Sequence, residues 1–306
     1  MLLALSNLLA ALFPIFLTFA LGFLLGKKMN AAQVRFASYG ITPVMWGILW
    51  VIGVKSGEVL SHFAQGVAVL KTAAVYAGST SAAVFFSLWA LNKPQQPSAT
   101  TSVWAALWPP LKECLIAFGL VALGVFCHRF GWQHTGFGAM LLDVSYWLYA
   151  LLILIGMELA KVHINRSWLS PRVLLIPLTV ITASLLAGMA ISVVTGERLA
   201  TSLALSSGFG WFSLSGALAG EHLGDAYAGI ALLTDLFREL LGIATVFLLG
   251  NRFAVSSIGV CGATAASTTL PFVRRAYAYE YVPIALVSGL VLTITAPFFM
   301  LIFMSI

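Results

Sequence analysis

The sequence predicts an all-α polytopic membrane protein with about eight transmembrane helices plus two re-entrant or broken segments, ten spans being the alternative, built as an inverted repeat of the secondary-transporter type. Three observations predict this. Hydrophobic residues occupy 60% of the 306 positions and charged residues 8%, against about 25% charged in a soluble globular domain. Apolar runs of the roughly 20 residues needed to cross a hydrocarbon core fill most of the chain. Related short sequences also recur about a third of the chain apart. Ala20-Leu21-Gly22-Phe23 resembles Ala122-Leu123-Gly124-Val125, and Leu49-Trp50-Val51-Ile52-Gly53 resembles Leu152-Ile153-Leu154-Ile155-Gly156, at offsets of 102 and 103 residues. An odd number of spans between repeats places the second unit upside down relative to the first.

Taken in order, residues 1–90 form the first three-span unit, with apolar runs at Leu2 to Leu25, Phe36 to Val54 and Thr72 to Ala90. Lys27 and Lys28 follow the first run instead of preceding it, so that run reads as a retained span and not a signal peptide. A Pro/Ser/Thr-rich stretch, 91–110, reads as a cytoplasmic linker. Residues 111–195 form the second, inverted three-span unit, with spans at Leu111 to Phe130, Gly138 to Leu159 and Val173 to Val194. The remainder, 196–306, is a substrate- and ion-binding core with broken segments at 200–220 and 257–272, a span at Ala226 to Leu249 and a last span at Tyr281 to Met304.

Loop charge orients these elements, because cytoplasmic loops retain Lys and Arg. Lys27, Lys28 and Arg35 place the first loop inside, and Lys161, Arg166 and Arg172 do the same for a later one, so both termini are expected in the periplasm. A full span at Ala200 to Gly220 would put Glu221 and Asp225 inside and Arg252 outside. A re-entrant segment that dips in and returns removes that conflict, and a second re-entrant at Ile258 to Phe272, entering from the inside, keeps Arg274 and Arg275 cytoplasmic.

Chemistry concentrates in three places. Asp235, Arg238 and Glu239 lie near the middle of an otherwise apolar stretch, where each would cost about 2.5–3.5 kcal/mol facing lipid. At helical spacing they share one face. One cation pairs with one anion, and the second carboxylate remains for a proton or a cationic substrate. The stretch Ser206 to Gly216, with Ser207, Gly208, Gly210, Trp211, Ser213 and Ser215, is dense enough in glycine and serine to favour broken helix with exposed backbone groups. Tight packing of small residues is the competing reading. The stretch Cys261 to Pro271, carrying Gly262, Thr264, Ser267 and Thr268, is polar and ends in a helix-stopping proline.

Other chemistries are excluded by what the sequence lacks. The basic residues behind the net charge of +6 are scattered between apolar runs and form no nucleic-acid stripe. The three cysteines and five histidines have no metal-ligand spacing, so no cofactor is expected. An intramembrane serine protease would need a histidine beside Ser215, and an aspartyl protease a second mid-span aspartate.

The motifs Ser207 to Gly216, Asp235-Leu236-Phe237-Arg238-Glu239-Leu240, Cys261-Gly262-Ala263-Thr264 and Thr269-Leu270-Pro271 together resemble the bacterial lysine exporter family of LysO type, over roughly residues 111 to 300. The first three spans are similar only in pattern. The resemblance implies a bacterial inner-membrane exporter of L-lysine and lysine analogues, with the lipid bilayer as its surroundings, protons as the coupling ion and Glu239 as the central acid. A homodimer is left open by the sequence. Family members commonly carry an acidic residue between the Cys-Gly-Ala-Thr and Thr-Leu-Pro elements, where this chain has Ala265-Ala266-Ser267-Thr268. Ser267 takes about that place, which keeps open a cation/proton antiporter or an exporter of another small amino acid or amine.

Overall fold

The computed structural model describes residues 2–55, 57, 63–92, 103–128, 143–161, 168 and 170–306. Among them every regular element is helical, and the chain is a helical membrane protein. The helices are α1 (Leu2–Lys28), α2 (Ala31–Ser38), α3 (Ile41–Lys55), α4 (Phe63–Ser87), α5 (Val103–His128), α6 (Val144–Leu159), α7 (Pro171–Thr195), α8 (Leu199–Leu205), α9 (Phe212–His222), α10 (Asp225–Cys261), α11 (Leu270–Ala276) and α12 (Tyr281–Met304). Among the described residues, four stretches are long and apolar enough to cross a membrane: Ala31–Lys55, Gly66–Ser87, Pro171–Thr195 and Tyr281–Met304.

Two boundaries differ from the sequence reading. The second apolar stretch is divided into α3 and a short preceding helix, α2, which Asn30 and Gln33 start as a reciprocal cap, each side chain bonding the other's backbone N–H. Phe36, expected inside the span, is exposed on that helix. Helix α5 begins at Val103, inside the stretch read as the linker 91–110, because the apolar sequence from Val103 to Trp108 carries the helix upstream of its two prolines. Residues 93–102 of that linker lie outside the described residues.

The repeated glycines meet crosswise. Gly22 of α1 lies against the backbone of Ile153, and Gly156 of α6 against Phe19, where an added Cβ would sit 2.5 Å from the Phe19 carbonyl oxygen. Equivalently, Gly53 of α3 lies against Val121, and Gly124 of α5 against Trp50. Each pair joins the first helix of one repeat to the second helix of the other. Small residues of this kind let membrane helices approach backbone to backbone, where dispersion and weak hydrogen bonds do the work that hydrophobicity cannot do in lipid.

The C-terminal part reverses direction twice. Tyr227, early in α10, donates to Glu197 Oε1 (3.0 Å), which precedes α8, so the stretch containing α8 and α9 leaves and returns at one end of the molecule. Ser145 and Glu221 meet at that end as well, at 3.2 Å. At the other end α10 is interrupted at Phe253 (φ −131°, ψ 43°). Phe253 packs against Trp89 and Phe85, with ring centroids 4.4 and 5.5 Å away. Asn92 then caps the returning piece, its Oδ1 accepting from the N–H of Val255 (2.9 Å) and Ser256 (3.2 Å). The chain climbs back until Cys261 lies against Gly242, where a Cβ would come 2.9 Å from the Cys261 Cα. The buried core gathers around this region, with α10 packed against α4 and α9, and α7 against α4.

The glycine crossings make a direct prediction. Gly53→Ala and Gly124→Ala are each expected to destabilise by about 1–3 kcal/mol through overpacking, read as a lowered melting temperature in detergent. Gly119→Ala, also in α5 but with nothing within 4 Å of its added methyl, should melt as the parent does. Equal behaviour of all three would mean that α3 and α5 do not cross at these glycines.

Candidate functional site

Both broken segments owe their shape to backbone that ordinary residues adopt at a cost. Between α8 and α9, Phe209 (φ 52°) and Gly210 (φ 94°) are both left-handed, and Gly208 has no room for a Cβ because Asp235 and Ser215 occupy that space. Beyond α10, Gly262 (φ 65°) opens a 3₁₀ turn, Gly262–Ala266, that ends at Ser267. The two tips touch through backbone alone: the Ala263 N–H donates to the Phe209 carbonyl at 2.8 Å, and the absent side chain of Gly262 is what lets that carbonyl approach. Two chain interruptions therefore satisfy each other inside the protein, as non-helical backbone at membrane depth must.

The charged residues of α10 stand at this crossing, with Asp235, Arg238 and Glu239 exposing 2%, 1% and 5% of their surface. Asp235 serves the first tip: Oδ1 accepts from the Gly210 N–H (2.7 Å) and Oδ2 from the Ser215 hydroxyl. Glu239 serves the second, its Oε1 accepting from the Thr268 hydroxyl. Arg238 serves neither. Its Nη1 donates to Ser184 Oγ of α7 (3.1 Å) and its Nε to the Val260 carbonyl of the returning helix (3.3 Å). The expected bond between Arg238 and one of the carboxylates is thus replaced. The guanidinium bonds two neutral acceptors and keeps Nη2 unpartnered, while the carboxylates accept from hydroxyl and amide donors of the broken segments.

Of the residues singled out from sequence, Gly208, Gly210, Ser215, Gly262 and Thr268 are gathered at the charged groups. Others are not. Ser207 bonds back to the Leu203 carbonyl (2.6 Å) and Thr264 to the Cys261 carbonyl (2.8 Å), each closing its own turn. Trp211 lines an apolar cleft with Phe19, Leu152 and Pro297. Ser213 is buried with no partner for its hydroxyl, and Ser267 is exposed at the second tip. Ser184 and the Tyr76–Ser202 hydroxyl pair (2.6 Å) were not singled out. A lone serine or tyrosine in an apolar run reads as packing, and only the fold shows what it reaches.

Several buried polar atoms remain without a hydrogen-bond partner, among them Ser206 Oγ, Ser213 Oγ, Thr234 Oγ1, Ser288 Oγ and Arg238 Nη2. Buried charges, interrupted helices and buried hydroxyls without partners are features that membrane transport proteins bring together.

Comparison with known proteins agrees with this character. A family model described as lysine exporter LysO matches residues 118–304. Lysine exporter LysO of Escherichia coli (strain K12) is 34% identical over 155 residues, covering 50% of this chain and 52% of that protein, so the chain spans about half the length of that relative. A protein named putative lysine exporter from Haemophilus influenzae is 29% identical over 187 residues, covering 60% of this chain and 93% of that protein. No solved structure matches the chain.

The different surroundings of the two tip serines can be read by chemical labelling. With Cys114, Cys127 and Cys261 replaced by alanine, a cysteine at Ser267 should react with a small thiol reagent, while one at Ser207, which is fully buried, should stay unmodified until the protein is denatured. Equal rates at the two positions would show that the tips are not folded as described.

Proposed function

The chain belongs to the lysine exporter LysO family, and on that premise we propose that it is a secondary exporter of L-lysine and lysine-like compounds in the bacterial inner membrane, driven by proton antiport. The observation that carries the reading is the crossing itself, where each of two buried carboxylates on one helix holds the tip of a different broken segment. In this reading the molecule has eight spans and two re-entrant hairpins, one from each side, with both termini in the periplasm. The crosswise glycine contacts support an inverted repeat, because one sequence element makes equivalent contacts in both units.

The chemistry follows from what each group can do. Asp235, held by an amide and a hydroxyl, is the fixed negative charge that receives an ammonium group. Glu239, bonded to Thr268 beside the exposed Ser267, is the acid that exchanges protons. It releases a proton inward, takes the substrate amine in its place, and is reprotonated from the outside as the amine leaves. Moving one positive charge out of a cell held at −100 mV costs about 2.3 kcal/mol. A one-for-one exchange of a lysine cation for a proton moves no net charge, so the proton concentration gradient alone can drive it.

A second reading is favoured by Ser267. With no acid at that position, the site has one carboxylate fewer than the family pattern, which suits a small amino acid or amine with one positive charge less than lysine.

Replacing one carboxylate oxygen tests the assignment. In proteoliposomes, Glu239→Gln should abolish lysine-dependent proton movement while purifying with normal yield, since glutamine keeps the size and still accepts from Thr268. Asp235→Asn should lower the melting temperature as well, because it turns an acceptor toward the Ser215 hydroxyl or the Gly210 amide into a donor. Wild-type transport by Glu239→Gln at every pH measured would withdraw the proton-coupling role.

A further inference from the structure

We propose that Arg238 is the receptor for the carboxylate of the substrate, so that the site recognises an α-amino acid and rejects the corresponding amine. The inference rests on the transport reading above and specifies its substrate chemistry. A guanidinium has five N–H donors in a planar fork. In Arg238, Nε is engaged by the Val260 carbonyl and Nη1 by Ser184, while Nη2 has no partner although the side chain is almost completely buried. A buried cation with an unanswered donor is an unfavourable arrangement unless something in the working cycle answers it.

The other groups at the crossing point to the same ligand. Two amides of the broken segments are closed to a substrate carboxylate: the Gly210 N–H is taken by Asp235 and the Ala263 N–H by the Phe209 carbonyl. Asp235 and Glu239 can only accept from, or repel, other groups while ionised. Arg238 Nη2 is a charged donor left over for an anion. Its neighbours on α10 are one turn away or adjacent, so one solute can place an ammonium on a carboxylate and its own carboxylate on the guanidinium. Charge balance agrees: two carboxylates and one guanidinium sum to one negative charge, and lysine, with two ammonium groups and one carboxylate, sums to one positive charge. A diamine of the same length would leave an excess positive charge and the Nη2 donor still unanswered.

The test compares ligands that differ only at the carboxylate, using the full chain in lipid nanodiscs and calorimetric or thermal-shift binding. L-Lysine should bind at least about tenfold tighter than lysinamide or cadaverine, the fold-change expected for one charge-assisted hydrogen bond. Arg238→Gln and Arg238→Lys should bind lysine and cadaverine within about threefold of each other, having lost the guanidinium's Nη2 donor. Equal affinity of the parent for lysine and lysinamide overturns the assignment even if neither variant folds, as does a full lysine preference retained in Arg238→Gln. Failure of the parent to bind lysine at all would instead overturn the lysine reading on which the inference rests.

Discussion

The fold is governed by the need to provide for three ionisable side chains in the middle of a helix that is otherwise apolar. In water, Asp235, Arg238 and Glu239 would need nothing from the rest of the chain. In a membrane interior every charge must be answered by protein, and here each is answered by a different element: the first tip at Gly210 and Ser215, the second at Thr268, and α7 with the returning helix at Ser184 and Val260. The broken segments are bound by the complementary requirement, since their freed backbone groups also need partners. Charges and interruptions solve each other's problem, which is why they occur together.

This arrangement has a dynamic consequence. The tips are joined by one backbone hydrogen bond, Ala263 N–H to the Phe209 carbonyl, and by carboxylates on a helix between them. Protonating Glu239 removes an acceptor charge from the second tip without touching the first. In the proposed cycle this opens the site on one side by the chemistry of one acid, which is what alternating access requires. Around it, the glycine crossings of α1 with α6 and α3 with α5 present smooth backbone surfaces, across which two units can shift with little side-chain interlocking.

The charged trio, the two interrupted segments and their meeting were legible in the sequence because each violates the composition of its surroundings. Asp235 and Glu239 interrupt an apolar run, and Gly208, Gly210 and Gly262 cluster where a helix should continue. The recurrence that pairs Gly22 with Gly124 and Gly53 with Gly156 is visible in the sequence, and these are the glycines at which the helices cross. What escaped was everything decided by distance in space. Spacing along α10 places Arg238 on the face of its two acids, but its donors reach Ser184, 54 residues away, because rotamer and packing choose the acceptor. What holds the turn at Phe253, between the runs ending at Leu249 and starting at Ile258, was not legible either. The turn depends on Asn92 capping Val255 and Ser256 from the end of α4, a contact that no local pattern announces. The break between α2 and α3 was hidden because Tyr39 and Gly40 interrupt a stretch whose hydropathy stays continuous.

The central claim, that a buried crossing couples movement of an amino-acid cation to movement of a proton, is tested most directly by uptake of radiolabelled L-lysine into inverted membrane vesicles containing this chain. With the vesicle interior acid, lysine should accumulate, each increment of uptake should alkalinise the interior, and collapsing the pH gradient should stop both. Proton movement driven by sodium or potassium ions and indifferent to lysine would contradict the account, and would make the crossing the site of an inorganic cation/proton antiporter.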